Sequence, residues 1–145
     1  MADKHFDIII IGGGPGGYVG AIRAAQLGYK TAIIDRAKLG GVCLNWGCIP
    51  SKALLANAEV MEKLAHKQDW GLTIDGEVKA DWDRVIGRSR DVASKLNKGV
   101  EFLMKKNKIT HFVAHGKVVK GATGGTPCEV ELYDCEINEE LTSCP

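Results

Sequence analysis

Two cysteines five positions apart are the residues of this 145-residue sequence whose types and spacing best suit chemistry. Cys43 and Cys48 lie in a glycine-rich segment, residues 40–52, that ends at Lys52. A redox disulfide needs Cα atoms about 4.4–6.8 Å apart, and these positions are little more than one helical turn apart. Thiols near a helix N-terminus and a lysine are expected to have lowered pKa values, because positive charge stabilises the reactive thiolate.

Three interpretations of the cysteine pair stay open from spacing alone. The pair could be a redox disulfide, two buried structural thiols or metal ligands, although zinc sites usually have shorter spacings and two ligand pairs. The other cysteines are far downstream, form no zinc pattern and receive no role: Cys128, Cys135 and Cys144. The spacing favours the redox disulfide.

The segment around the cysteines predicts a glycine-rich loop that leads into a helix. Pro50 suits a first helical turn, where its missing N–H costs nothing, and the helical pattern continues to about His66. A second, long helix is predicted after Asp81, which is a suitable N-cap. Its predicted apolar face consists of Trp82, Val85, Ile86, Ala93, Leu96, Val100 and Leu103.

The N-terminal segment carries a dinucleotide-binding motif. An apolar, mainly β-branched run, residues 5–11, precedes Gly12, Gly14 and Gly17, which fit G-x-G-x-x-G. The motif is weak evidence alone, but here it follows a predicted strand, opens a predicted helix and precedes Asp35 by about 20 residues. The helix N-terminus is expected to bind a pyrophosphate, and Asp35 is expected to accept hydrogen bonds from ribose hydroxyls.

The order of predicted elements indicates an α/β fold. A helix over 15–26 and strands over 30–35 and 109–114 predict a Rossmann-like, three-layer domain with a parallel sheet. Residues 117–133 predict a hairpin or small β-meander. The chain length corresponds to about one domain, with no linker between two domains.

Composition argues against several classes of protein. Hydrophobic residues make up 45% and charged residues 26% of the chain, as in a soluble globular protein. A net charge of +1 gives no reason to expect nucleic acid or membrane partners. The apolar run at residues 6–11 is too short for a secretory signal or a membrane span, so a cytoplasmic location is expected.

Residues 9–17, Asp35 and 40–52 together resemble the N-terminal part of the dihydrolipoamide dehydrogenase family. Members of that family are flavin-dependent disulfide oxidoreductases of the pyridine-nucleotide class. The residue types at 44–45 and 49–52 are more similar to this family than to glutathione or mercuric reductases, which remain the alternative. The resemblance extends to about Tyr133.

The resemblance implies FAD, rather than NAD, at the glycine motif. It also implies that Cys48 is the sulfur nearer the flavin, that Cys43 exchanges with dihydrolipoamide, and that Asp35 holds the adenosine ribose where the family usually has Glu. The implied cofactor contacts are Gly12, Gly14, Gly17, Asp35, Arg36, Gly40, Gly41, Cys43, Lys52 and Gly116.

The resemblance also carries expectations about the whole protein. Family members are longer, so residues 1–145 are expected to be the N-terminal part of the FAD-binding domain, with NAD-binding and dimerisation domains absent from this sequence. The implied full-length protein is a homodimer that oxidises dihydrolipoamide on the acyltransferase component of 2-oxo acid dehydrogenase complexes and reduces NAD⁺. The chain alone is expected to bind FAD weakly or not at all, to be poorly soluble or flavin-poor, and to show no turnover.

Overall fold

The structure is a computed structural model that describes residues 4–133. It divides into two compact units: a first unit within Met1–Gly41 and Gly99–Pro145, and a second unit, Val42–Lys98. In chain order the elements are β1 (Ile8–Ile11), α1 (Pro15–Gln26), β2 (Thr31–Asp35), α2 (Gly41–Asn45), α3 (Cys48–Ala65), α4 (Trp82–Lys106), β3 (Thr110–Val113), β4 (His115–Lys120) and β5 (Glu129–Tyr133). Among residues 4–133, no helix has both the length and the apolarity needed to cross a membrane.

The first unit contains a parallel sheet with strand order β1-β2-β3. The central strand β2 pairs with β1 through Ile10 and Ile33 and with β3 through Ile33 and His111. Residues 31–34 of β2 are all buried, as expected for a strand covered on both faces of a parallel sheet. Because Ala21 and Ala24 of α1 are also buried, the predicted α/β arrangement is confirmed.

The predicted hairpin is confirmed as the antiparallel pair β4 and β5. Val118 pairs with Val130, and the register shifts between Val118 and Lys120. Gly116, near the start of β4, lies against β2, because a Cβ built there would be 3.2 Å from two side-chain carbons of Ile34. The hairpin therefore places the Gly116 backbone beside the end of the central strand.

In the second unit, the helix predicted to begin near the cysteines and to continue to about His66 is confirmed as α3, whereas part of the predicted loop before it forms the short helix α2. Cys43 lies in the short helix α2, and Cys48 begins α3. Gly47 separates the helices with φ −126° and ψ −108°, which is not a helical conformation. The long helix α4 does follow Asp81, whose Oδ1 accepts the Arg84 N–H at 3.1 Å, so the predicted N-cap is confirmed.

The predicted apolar face of α4 is only partly correct. Trp82 is 70% exposed and Leu96 is 44% exposed. The buried side of the helix is formed by Ser89, Ala93, Asn97, Val100 and Met104. Two polar residues, Ser89 and Asn97, are buried here. Burial of Ser89 is tolerated because its hydroxyl donates a hydrogen bond to the Ile86 carbonyl at 2.8 Å within the same helix.

Candidate cofactor and redox sites

The candidate cofactor site in the first unit is built around residues 12–17, here called the glycine loop. Gly12 has φ +103°, which favours glycine, and its N–H donates to the Ile34 carbonyl at 2.8 Å. A Cβ on Gly17 would overlap the Gly12 carbonyl oxygen, whereas a Cβ on Gly14 would meet nothing within 4 Å. The structure thus has a tight turn at Gly12 and close packing at Gly17, which are the usual roles of these glycines in the motif, and it leaves Gly14 open.

The first turn of α1 offers backbone donors beside this open position. Gly14 is the N-cap residue and Pro15 follows at N1 or N2. No side chain in the described part of the chain caps this helix, and its first turn contains no acidic residue. The first N–H groups of a helix lack intrahelical acceptors and carry partial positive charge, so this end suits a phosphate group.

Asp35, at the end of β2, hydrogen-bonds to the backbone on both sides of its carboxylate. Oδ2 accepts the N–H of Gly13 at 2.5 Å, and Oδ1 accepts the N–H of Ala37 at 2.8 Å. The sequence indicated only a ribose contact, although an Asp that bonds the backbone two residues on is a known turn pattern. Each carboxylate oxygen keeps a second lone pair, so a ribose hydroxyl can still be accepted.

A cavity of about 230 Å³ lies beside Asp35 in the first unit. It is smaller than the roughly 300–1,000 Å³ of typical small-molecule pockets, so it suits part of a dinucleotide. Four of its lining residues were predicted to bind the cofactor: Gly12, Asp35, Arg36 and Gly116. The other four were not predicted: Ile11, Ile34, Ala114 and His115. The ring of His115 stacks on that of Tyr133, with centroids 5.3 Å apart, which sequence spacing could not reveal.

The second glycine pair, Gly40 and Gly41, lies directly against the glycine loop. Both residues have positive φ, +94° and +59°. The Gly40 N–H donates to the Gly13 carbonyl at 2.7 Å, and a Cβ on Gly41 would be 2.8 Å from the Gly14 Cα. Their expected contact with the flavin stays a prediction, whereas this contact with the loop was not foreseen.

The candidate redox site in the second unit is the cysteine pair. The side chains of Cys43 and Cys48 are hydrogen-bonded to each other, and both residues are free thiols. Gly47 permits this approach because a Cβ there would be 3.1 Å from the Val42 carbonyl oxygen. Trp46, between the cysteines, is 57% exposed. The structure therefore brings the two sulfurs together as expected, and their disulfide stays a prediction.

The expectation of a lowered pKa is wrong for Cys43. Its hydrogen bond with the Cys48 side chain raises the pKa of Cys43, and desolvation and the charge of Cys48 act in the same direction. The Cys48 backbone and the ammonium of Lys52 lower the pKa of Cys43, but these effects are smaller. A hydrogen bond that favours the protonated form opposes ionisation, which explains the net direction.

Among residues 4–133, no group of three or more His, Cys, Asp or Glu side chains is placed to hold a metal ion. Of the other three cysteines, Cys128 is an exposed free thiol. Cys135 and Cys144 lie outside the described residues.

Comparison with known proteins identifies relatives of most of the chain. Residues 6–132 match the family model of the pyridine nucleotide-disulphide oxidoreductases. A dihydrolipoyl dehydrogenase from Rhizobium etli is 59% identical over 117 residues, which is 81% of this chain and 24% of the relative. One from Zymomonas mobilis is 55% identical over 136 residues, 94% of this chain and 28% of the relative. One from Cupriavidus necator is 45% identical over 137 residues, 88% of this chain and 29% of the relative.

The chain thus spans less than a third of the length of these three relatives. The match to the family model nevertheless includes both the glycine loop and the cysteine pair, and it covers nearly all of residues 4–133. Together with the parallel sheet, the open helix N-terminus and the paired thiols, this match shows that the chain belongs to the pyridine nucleotide-disulphide oxidoreductase family.

Proposed function

We propose that this chain functions as part of a dihydrolipoyl dehydrogenase in which Cys43 and Cys48 form the redox disulfide. The observation that carries the proposal is the hydrogen bond between the two thiols. It occurs in a chain 59% identical to part of a protein of that name. Activity on dihydrolipoamide belongs to the whole protein, since this chain spans 24% of that relative.

In the proposed reaction the cysteines take an electron pair from the substrate by disulfide exchange. One substrate thiolate attacks the Cys43 sulfur, forms a mixed disulfide and releases Cys48 as a thiolate. The second substrate thiolate then attacks the mixed disulfide, so that lipoamide forms and Cys43 is released. The substrate loses two electrons, the protein disulfide gains them, and the two substrate protons end on the protein thiols. The raised pKa of Cys43 favours its protonated form after release.

The residues of the first unit suit the nucleotide half of FAD. When bound, FAD would supply the transfer of the electron pair from the dithiol to NAD⁺. The open helix N-terminus at Gly14 suits the pyrophosphate. The cavity lined by Asp35, Arg36 and Gly116 suits the adenosine. Gly12, Gly17, Gly40 and Gly41 shape the backbone next to it. The resemblance to the family adds Cys43 and Lys52 to the proposed cofactor-binding residues.

The proposal extends to the setting of the whole protein. Residues 1–145 would form the N-terminal part of the FAD-binding domain, and NAD-binding and dimerisation domains would complete a homodimer. The dihydrolipoamide would be carried by the acyltransferase component of a 2-oxo acid dehydrogenase complex in the cytoplasm. The shared name of the relatives, dihydrolipoyl dehydrogenase, supports the dihydrolipoamide substrate of this setting.

Peptide mapping without reductant tests the redox disulfide. After full air oxidation, wild type and the control Cys128→Ser are expected to yield a linked peptide pair containing Cys43 and Cys48. Cys43→Ser and Cys48→Ser should not yield it. Dihydrolipoamide should cleave the link faster than reduced glutathione at equal thiol concentration. Free thiols at both positions after oxidation would contradict the redox role, and faster cleavage by glutathione would favour a glutathione-reductase type.

A further inference from the structure

We propose that Asp35 is a positioning residue that holds the glycine loop in the conformation that receives the cofactor's pyrophosphate. Its carboxylate accepts the Gly13 N–H at 2.5 Å and the Ala37 N–H at 2.8 Å. These donors belong to two different loops, the glycine loop and the loop after β2. Hydrogen bonds from backbone N–H groups to a carboxylate are among the stronger ones in proteins, so this side chain ties the two loops together.

The backbone of Gly13 is held at both of its polar groups. Its N–H donates to Asp35, and its carbonyl accepts the Gly40 N–H at 2.7 Å. The preceding residue, Gly12, donates its N–H to the Ile34 carbonyl at 2.8 Å. Gly13 itself is buried. The glycine loop is therefore bonded to β2 and to the following loop through three successive contacts that involve no ligand.

The short side chain of Asp35 is what permits this arrangement. A Cβ built on Gly13 would be 3.0 Å from Oδ2 and 3.2 Å from Cβ of Asp35. The acid thus lies against the loop without spare space, and the additional methylene of a Glu would move the carboxylate away from both N–H groups. Since ordering a loop on binding costs free energy, a loop held beforehand binds its ligand more tightly.

The effect of Asp35 on an anionic ligand can be separated from simple electrostatics. A carboxylate close to a pyrophosphate repels it, so removal of the charge alone would strengthen phosphate binding. Asn at this position keeps one oxygen acceptor but presents N–H groups to one of the two backbone donors. A loss of affinity in Asp35→Asn is therefore expected only if the carboxylate holds the loop or contacts the ribose.

Two nucleotides distinguish the loop from the ribose. ADP has both ribose hydroxyls, and 2′,3′-dideoxy-ADP has neither. Titration calorimetry of both nucleotides with wild type, Asp35→Asn and Asp35→Glu is the experiment. Asp7→Asn is the matched control, because Asp7 Oδ2 also accepts a backbone N–H, that of Lys30 at 2.7 Å, at the other end of the first two strands.

The positioning role predicts that both Asp35 variants lose about tenfold in affinity for each nucleotide, the effect of one charge-assisted hydrogen bond. The Asp7→Asn control should change neither affinity by more than about twofold. A loss confined to ADP, with 2′,3′-dideoxy-ADP bound equally by wild type and Asp35→Asn, would overturn the inference, because Asp35 would then act through the ribose alone.

The predicted loss of nucleotide affinity rests on the proposed cofactor site. A second measurement therefore tests the positioning role of Asp35 without any ligand. Amide hydrogen exchange at Gly13 and Ala37 in the nucleotide-free chain should be at least about tenfold faster in Asp35→Asn than in wild type. Equal exchange would overturn the positioning role. If exchange differs while wild type binds neither FAD nor ADP, the positioning role stands and the assignment of a cofactor site to this chain by itself fails.

Discussion

The candidate cofactor site and the candidate redox site make their contacts with different kinds of groups. In the first unit the contacts are made mostly by the backbone: N–H groups of the glycine loop, the carbonyl of Gly13 and the close approach of Gly41 to Gly14. In the second unit they are made by side chains, the thiols of Cys43 and Cys48. The spacing of glycines in the sequence is therefore enough to identify the first site, whereas the chemical properties of the second site depend on contacts between its side chains.

The two sites also differ in their surroundings. Residues 31–34 of β2 are buried. By contrast, only Pro50 and Ala53 are buried among the 18 residues of α3. A buried, closely packed backbone cannot shift to accept added atoms, whereas an exposed helix can. We therefore expect substitutions at closely packed positions of the first site, such as Gly17, to change folding stability, and substitutions at the second site to act locally.

The largest expected effect is that of Gly17→Ala. The added Cβ would overlap the Gly12 carbonyl oxygen, so the free energy of unfolding should fall by about 1–3 kcal/mol or more. Gly16→Ala is the matched control, because its Cβ would meet nothing within 4 Å and helix propensity should stabilise it slightly. Urea denaturation followed by circular dichroism measures both. Equal stability of the two variants would show that the packing at Gly17 does not matter.

Gly14→Val is expected to separate cofactor binding from folding. A Cβ at Gly14 would meet nothing within 4 Å, so the stability of the chain without flavin should change little. The branched side chain would occupy the space that a pyrophosphate needs, so FAD affinity should fall by at least about tenfold. Flavin absorbance and fluorescence titration provide the measurement. Unaltered flavin binding would argue against a pyrophosphate at this position.

Cys48→Ala is expected to have a local effect on the chemistry of Cys43. The Cys48 side chain is the largest cause of the raised pKa of Cys43, so its removal should lower that pKa. Alkylation of Cys43 by iodoacetamide at pH 7 should become severalfold faster, since the thiolate is the reactive form. Peptide-resolved mass spectrometry measures the rate, with the exposed Cys128 as an internal control. A rate at Cys43 that does not rise would contradict the assigned cause.

The smallest expected effect is a pH dependence of stability from His111 in the first unit. Desolvation lowers the pKa of His111, although the charges of Asp35 and Glu101 oppose this. Because the unfolded chain binds the proton more readily, stability should be complete above about pH 6.5 and decline as the pH falls towards the folded-state pKa. His111→Leu should remove this decline, and the exposed-site variant His66→Leu should retain it. Identical pH profiles of urea denaturation for both variants would exclude His111 as the source.

The sequence by itself determined the local architecture. The helix predicted over 15–26 is α1, Pro15–Gln26, and the strands predicted over 30–35 and 109–114 contain β2 and β3. Apolar periodicity, glycine and proline act on their immediate neighbours, so such elements can be read from adjacent residues. The dinucleotide motif could be identified for the same reason, because all three of its glycines lie within one turn and the following helix.

Only the tertiary structure decided how the side chains of these elements are used. Asp35 bonds Gly13, 22 positions away, and spacing offered no sign of this. The buried side of α4 includes Ser89 and Asn97 rather than Trp82, which the apolar pattern favoured. The pKa of Cys43 rises because the hydrogen bond to Cys48 outweighs Lys52. Each outcome depends on distances between atoms from different elements, and such distances are set by packing rather than by neighbouring residues.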